Sequence, residues 1–188
     1  MTVALWLLAV QGMLGAFDTV FYHEWKARLP ARAPATNPEL KLHAARDFIY
    51  AILFCSLPWL AFRGLWAIGI SALLLVEIAI TLTDFVVEDR VRAPLGGVYA
   101  GERVTHAVMG IVYGAMLAYL LPTLWTRWLA TTSIEAAPEA SAGLRWVLSM
   151  MGVGVLLSGL RDTSAVLGVP HSAWPWREMQ AIEAKSGQ

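Results

Sequence analysis

Five apolar stretches dominate this chain, at 3–22, 44–62, 65–83, 104–121 and 142–160. Each is close to the roughly 20 residues that a helix needs to cross the hydrocarbon core of a bilayer. The composition agrees: 57% of the 188 residues are apolar and 15% are charged, against about 25% charged in soluble domains. The reading is an all-α integral membrane bundle of four core transmembrane helices plus a shorter fifth. It forms one domain, with a cytoplasmic tail over 161–188. The fifth stretch is the weakest, and its MGVGVLLSG run suits close packing on a neighbouring helix. The formal net charge of zero argues against a nucleic-acid partner. The single cysteine, Cys55, excludes an internal disulfide and reads as a packing residue.

Boundaries come from breakers and caps. Pro58 predicts a kink in the second helix. Asn37-Pro38-Glu39 predicts its start, with an N-cap, a first-turn proline and an early acid. The third helix is expected to continue to Val91. The N-terminal stretch lacks a basic leader and contains Gln11 and Asp18, so it reads as a retained span rather than a signal peptide.

Basic residues set the orientation. With the loop after the first span inside, Lys26, Arg28, Arg32, Lys41, Arg46, Arg90, Arg92, Arg103, Arg161, Arg177 and Lys185 are cytoplasmic, and Arg63, Arg127 and Arg145 are not. The expectation is a bacterial-type inner-membrane protein with its N-terminus outside and C-terminus inside. Tryptophans fall at both boundaries, as membrane-interface anchors do.

The same topology brings ionisable groups to one level. His23, His43, His106 and His171 all fall on the cytoplasmic side, as do most acids. His43/Asp47, Asp84/Glu88 and Glu102/His106 are i, i+4 pairs, each on one helix face. Gln11, Gly15, Asp18 and Tyr22 form a stripe from which His23 and Glu24 diverge on an α-helical wheel. Glu77 shares a face with Asp84, about 10 Å deeper. Carboxylates inside spans are costly, by about 2.5–3.5 kcal/mol each on insertion scales. No lysine or arginine looks deep enough to partner Asp18, Asp47 and Glu77 easily. Taken singly, Glu24, Glu39, Asp89, Glu102 and His171 read as solvated boundary residues.

Mixed imidazole and carboxylate donors at one depth suit a metal ion, and several carboxylates in a bundle suit two. The metal candidates are Asp18, His23, His43, Asp47, Asp84, Glu88, Glu102 and His106. The weight of hard oxygen donors favours iron over zinc or manganese. Glu77 and Tyr113 are catalytic candidates. Arg46, Arg103 and Arg161 are candidates to steer an anionic head group of a lipid substrate. The pattern is similar in kind to carboxylate-bridged di-iron bundles, but lacks their Glu-x-x-His motif. The functional expectation is oxidation of a lipid or other apolar substrate, with an electron-donor protein as partner. The alternatives are a non-enzymatic membrane subunit or proton/ion-coupled transporter, and a bis-histidine haem protein using His43 and His106. Against transport, no polar groups continue outward from Glu77.

Overall fold

The computed structural model describes residues 1–137 and 140–176. Glu139, Arg177, Lys185 and the tail beyond Trp176 therefore lie outside the described residues. Five helices carry the fold: α1 (Thr2–Phe17), α2 (Asn37–Ser56), α3 (Leu65–Arg92), α4 (Ala100–Trp128) and α5 (Ala142–Val166). They alternate in direction and close into a ring in the order α1, α4, α3, α2, α5, with α5 returning to α1. At 1.5 Å per residue, α3 and α4 are about 42–44 Å long, more than a hydrocarbon core of about 30 Å requires.

Among the described residues, four segments are long and apolar enough to cross a membrane: Thr2–Arg32, Leu65–Leu95, Ala100–Trp128 and Ala142–Val166. The helix left out is α2, not the C-terminal helix, which is 25 residues long. The reason is chemical: α2 spans 20 residues and carries Glu39, Lys41, His43, Arg46 and Asp47. It is the polar helix of the ring, set against α3 on one side and α5 on the other. Large apolar side chains such as Trp6, Leu65, Ile111 and Met150 cover the outer face.

The glycines of α5 set its distance from α2. A β-carbon at Gly159 would lie 3.0 Å from Asp47 Cβ and 3.3 Å from the Ala44 carbonyl; one at Gly152 would press on Cys55 Sγ and Phe54. The expectation of close packing at the MGVGVLLSG run holds, and Cys55 is part of that contact.

Proline 58 does not kink α2. The helix ends at Ser56 and the proline lies just beyond the cap residue Leu57, where its missing N–H costs nothing. The chain then forms a short strand, β1 (Leu60–Phe62), antiparallel to β2 (Ile134–Ala136), with Ala61 opposite Glu135. This clip joins the α2–α3 and α4–α5 connections at one end of the bundle. Gly64 follows with φ +55°, and a side chain there would collide with Thr132.

The largest departure from the sequence reading is at the end of α1. The helix does not stop near Tyr22. It continues over Asp18–Ala27 as a π-helix and ends at Arg28, whose φ of 53° is left-handed. A π-helix bonds i to i+5. Residues five apart, which diverge on an α-helical wheel, now stack.

A candidate metal centre at the polar end of the bundle

The π-turn places Asp18 and His23 together: Asp18 Oδ2 lies 3.2 Å from His23 Nε2. Helix α4 brings His106, whose Nε2 is 3.1 Å from the same Asp18 oxygen, and Glu102, whose Oε1 is 3.3 Å from His23 Nε2. Asp18, His23, Glu102 and His106 each offer a ligand atom, all within 4.8 Å of one another.

Helices α2 and α3 extend the group. The ring of His43 stacks on that of His23, with centroids 4.5 Å apart and planes 9° from parallel. His43 Nε2 lies 3.2 Å from Asp84 Oδ2 and 3.8 Å from Glu39 Oε1. One turn along α3, Glu88 Oε1 is 3.5 Å from His106 Nδ1. Four chain segments thus supply one pair each: Asp18/His23, Glu39/His43, Asp84/Glu88 and Glu102/His106.

The group is dry. Asp18, Asp84, Glu39 and Glu102 expose 2% or less of their surface, and His43 3%. The reading of Glu39 and Glu102 as solvated boundary acids is therefore corrected. Glu102 has two duties. Its Oε2 accepts from the Tyr99 backbone N–H at 3.4 Å, capping α4, while its Oε1 faces His23 and Arg92. Of the other boundary acids, Glu24 is ion-paired to Arg161, and Asp89 stays in the open beside Arg103.

One arginine is buried after all and a second is partly buried. Arg92, 1% exposed, donates to both oxygens of Glu39 at 2.7–3.0 Å and to Glu102 at 3.2 Å. Arg46 Nη1 donates to Asp84 at 3.2 Å. The wheel reading missed Arg92 because it sits at the end of α3, where water was expected. It missed Glu39 because His43 had been paired forward to Asp47. The same four-residue spacing backward from His43 was the available signal.

Asp47 lies away from the cluster, beside Ser158 and Arg46. It lines a small gap shared with His43, Ser158 and a buried Asp162. Glu77 lies deeper in the bundle, 2% exposed, accepting from Thr81 Oγ1 at 2.8 Å. Tyr50 and Tyr113 face it, their ring centroids 6.4 Å apart. Of the three arginines read as head-group contacts, each meets an acid: Arg46 meets Asp84, Arg103 meets Asp89 and Arg161 meets Glu24.

Asp18 Oδ1, His23 Nε2, His43 Nε2, Asp84 Oδ1 and Glu88 Oε2 are buried without a hydrogen-bond partner among the described residues. His23 Nε2 is close to two carboxylates yet aligned for a hydrogen bond with neither. The charges are also unequal. Asp18, Glu39, Asp84, Glu88 and Glu102 face only Arg46 and Arg92, a surplus of three negative charges before the imidazoles are counted. Buried charge without a counter-charge costs several kcal/mol per ion, so the arrangement calls for cations or protons on the rings. No family model, curated protein or solved structure matches the chain; the chemistry of the site carries the functional argument.

Proposed function

We propose that this is an integral membrane protein whose polar end holds a His/carboxylate metal site, with room for two ions and iron as the favoured metal. The observation that carries this reading is the group Asp18, His23, Glu102 and His106, whose ligand atoms all lie within 4.8 Å of one another. Beside it, buried atoms on Asp18, His23, His43, Asp84 and Glu88 are left without a hydrogen-bond partner among the described residues, as a closed hydrogen-bonded network would not leave them. Glu39 and Glu102 complete the donor set, held in place by Arg92 in the way that outer partners orient metal-binding carboxylates. Bound cations supply the missing positive charge. Hard oxygen donors with neutral imidazoles suit iron or manganese better than a thiolate-type ion.

The activity we propose is oxidation of an apolar substrate that enters from the bilayer. The four apolar segments support the membrane setting. In balanced form, a substrate C–H bond becomes C–OH with one oxygen atom of dioxygen. The other atom leaves as water, using two protons and two electrons from a donor protein. Glu77, buried beside Tyr50 and Tyr113 below the cluster, is the carboxylate we assign to the catalytic step.

The test is iron-reconstituted, detergent-purified protein given long-chain lipids, a reductant and dioxygen-18. The reading predicts oxygen-18 in the lipid fraction. Iron bound at the site with no label in any lipid would refute the oxidative activity.

A second reading rests on Arg92. Its bonds to Glu39 and Glu102 resemble a closed ion-pair network, as in a non-enzymatic subunit or proton-coupled transporter. It balances the surplus of three acids only when His23, His43 and His106 all carry a proton, and it still leaves buried atoms of Asp18, Asp84 and Glu88 without partners. The haem reading is weaker still, since His43 and His106 each face carboxylates, whereas haem propionates favour basic partners.

A further inference from the structure

A chamber of about 500 Å³ opens between α1 and α5 and runs inward to Asp18 and Arg46. That is within the range of small-molecule sites, about 300–1,000 Å³. Small residues make it. Gly15 and Ala16 on α1 and Gly154 on α5 line it, together with Phe54 and Met151. A β-carbon at Gly154 would meet nothing within 4 Å, and one at Gly15 only Met109 Cε at 3.8 Å. Exposed Met13, with 55% of its surface accessible, marks the mouth on the apolar outer face.

Gln11 stands in the chamber wall. It is 5% exposed, lies beside the Tyr50 hydroxyl and also borders a neighbouring cavity with Glu77 and Tyr113, and its amide oxygen has no hydrogen-bond partner among the described residues. An unpaired buried amide oxygen costs about 1–3 kcal/mol and is satisfied only by a donor. Nearby, Arg46 donates to Asp84, and Asp18 and Asp47 add two further carboxylates, so the site repels an anionic head. A cationic ammonium would have to shed its water in a chamber lined mostly by apolar and small side chains, at a cost of several kcal/mol.

We propose that the chamber binds a single unbranched aliphatic chain that ends in an uncharged hydroxyl, with the hydroxyl donating to the Gln11 amide oxygen. This deepens the oxidative reading by naming its ligand class. It does not depend on metal, because the chamber, its mouth and Gln11 are formed by the chain alone.

The experiment uses the full chain, purified in detergent and washed with chelator. A fluorescent alkyl probe is displaced by hexadecan-1-ol, hexadecane, hexadecanoate or hexadecylamine. The alcohol is expected to compete best, by about tenfold over the alkane, the effect of one buried hydrogen bond. Gly154→Leu and Gly15→Leu fill the chamber from opposite walls into open space, so both are expected to fold and to lose the probe. Gln11→Leu is expected to keep the alkane and lose the preference for the alcohol, which a merely structural role for Gln11 would not produce. Hexadecanoate or hexadecylamine competing as well as the alcohol would overturn the proposal. So would unchanged probe binding in both glycine variants, or an alcohol preference that survives Gln11→Leu. Because binding is read without metal, loss of the metal reading leaves this result standing, and its failure leaves the metal reading untouched.

Discussion

At one end of the bundle, Leu5, Leu8, Leu53, Leu120, Leu124 and Leu148 pack as a dry aliphatic core. There the β1–β2 clip and the Trp59–Ser149 and Trp128–Ser71 hydrogen bonds tie neighbouring helices. At the other end, three histidines, five carboxylates and two arginines occupy a largely buried volume, with only His106 and Arg46 partly open. Only the first end is what a helical bundle needs in order to fold. A buried ion-pair network is weak evidence for stability, and well-packed apolar replacements are often neutral or better. The proposed metal site gives the polar end a reason to be kept, and the aliphatic end and the close α2–α5 seam hold the helices in place against its cost.

That contrast can be broken from either side. The largest effect is expected from Arg92→Met, which strands Glu39 and Glu102 without their cation. A loss of about 3–5 kcal/mol is expected in detergent unfolding, and Arg92→Met with Glu39→Gln and Glu102→Gln together should recover much of it. Leu53→Ala in the aliphatic core should cost about 2–5 kcal/mol by leaving a cavity, with metal content unchanged in the folded fraction. A coupled loss of metal in that variant would mean that the two ends are not separable. Gly159→Leu pushes against Asp47 and the Ala44 carbonyl, and should cost about 1–3 kcal/mol by overpacking the α2–α5 seam. At the small end, Arg63→Ala removes an ion pair to Glu135 that is open to solvent on both sides. Its effect on stability should stay below about 1 kcal/mol.

The same contrast explains how far the sequence was readable. Apolar stretches and glycine spacing report packing, so the helices, the run of α3 to Arg92 and the close approach of α5 to α2 were legible. Pairs at α-helical spacing, Asp84/Glu88 and Glu102/His106, were legible too. Asp18/His23 was not, because a wheel drawn at α-helical pitch separates residues that a π-turn superimposes. Glu39 and Arg92 were hidden by depth. Each lies near a helix end, where water is the usual environment, and only the ring closure of α2, α3 and α4 buries them against each other. The β1–β2 clip was hidden because three-residue strands carry too little alternation to stand out from apolar loops.

The central claim is that the polar end is a metal site rather than a charge network. Elemental analysis of the detergent-purified chain, supplied with iron and then desalted, tests it most directly. The account predicts about one to two ions per chain, lost in Asp18→Asn and His106→Ala but retained in Asp47→Ala, whose carboxylate lies off the cluster. Metal below about 0.2 per chain, in a protein whose fold is indifferent to chelator, would contradict it.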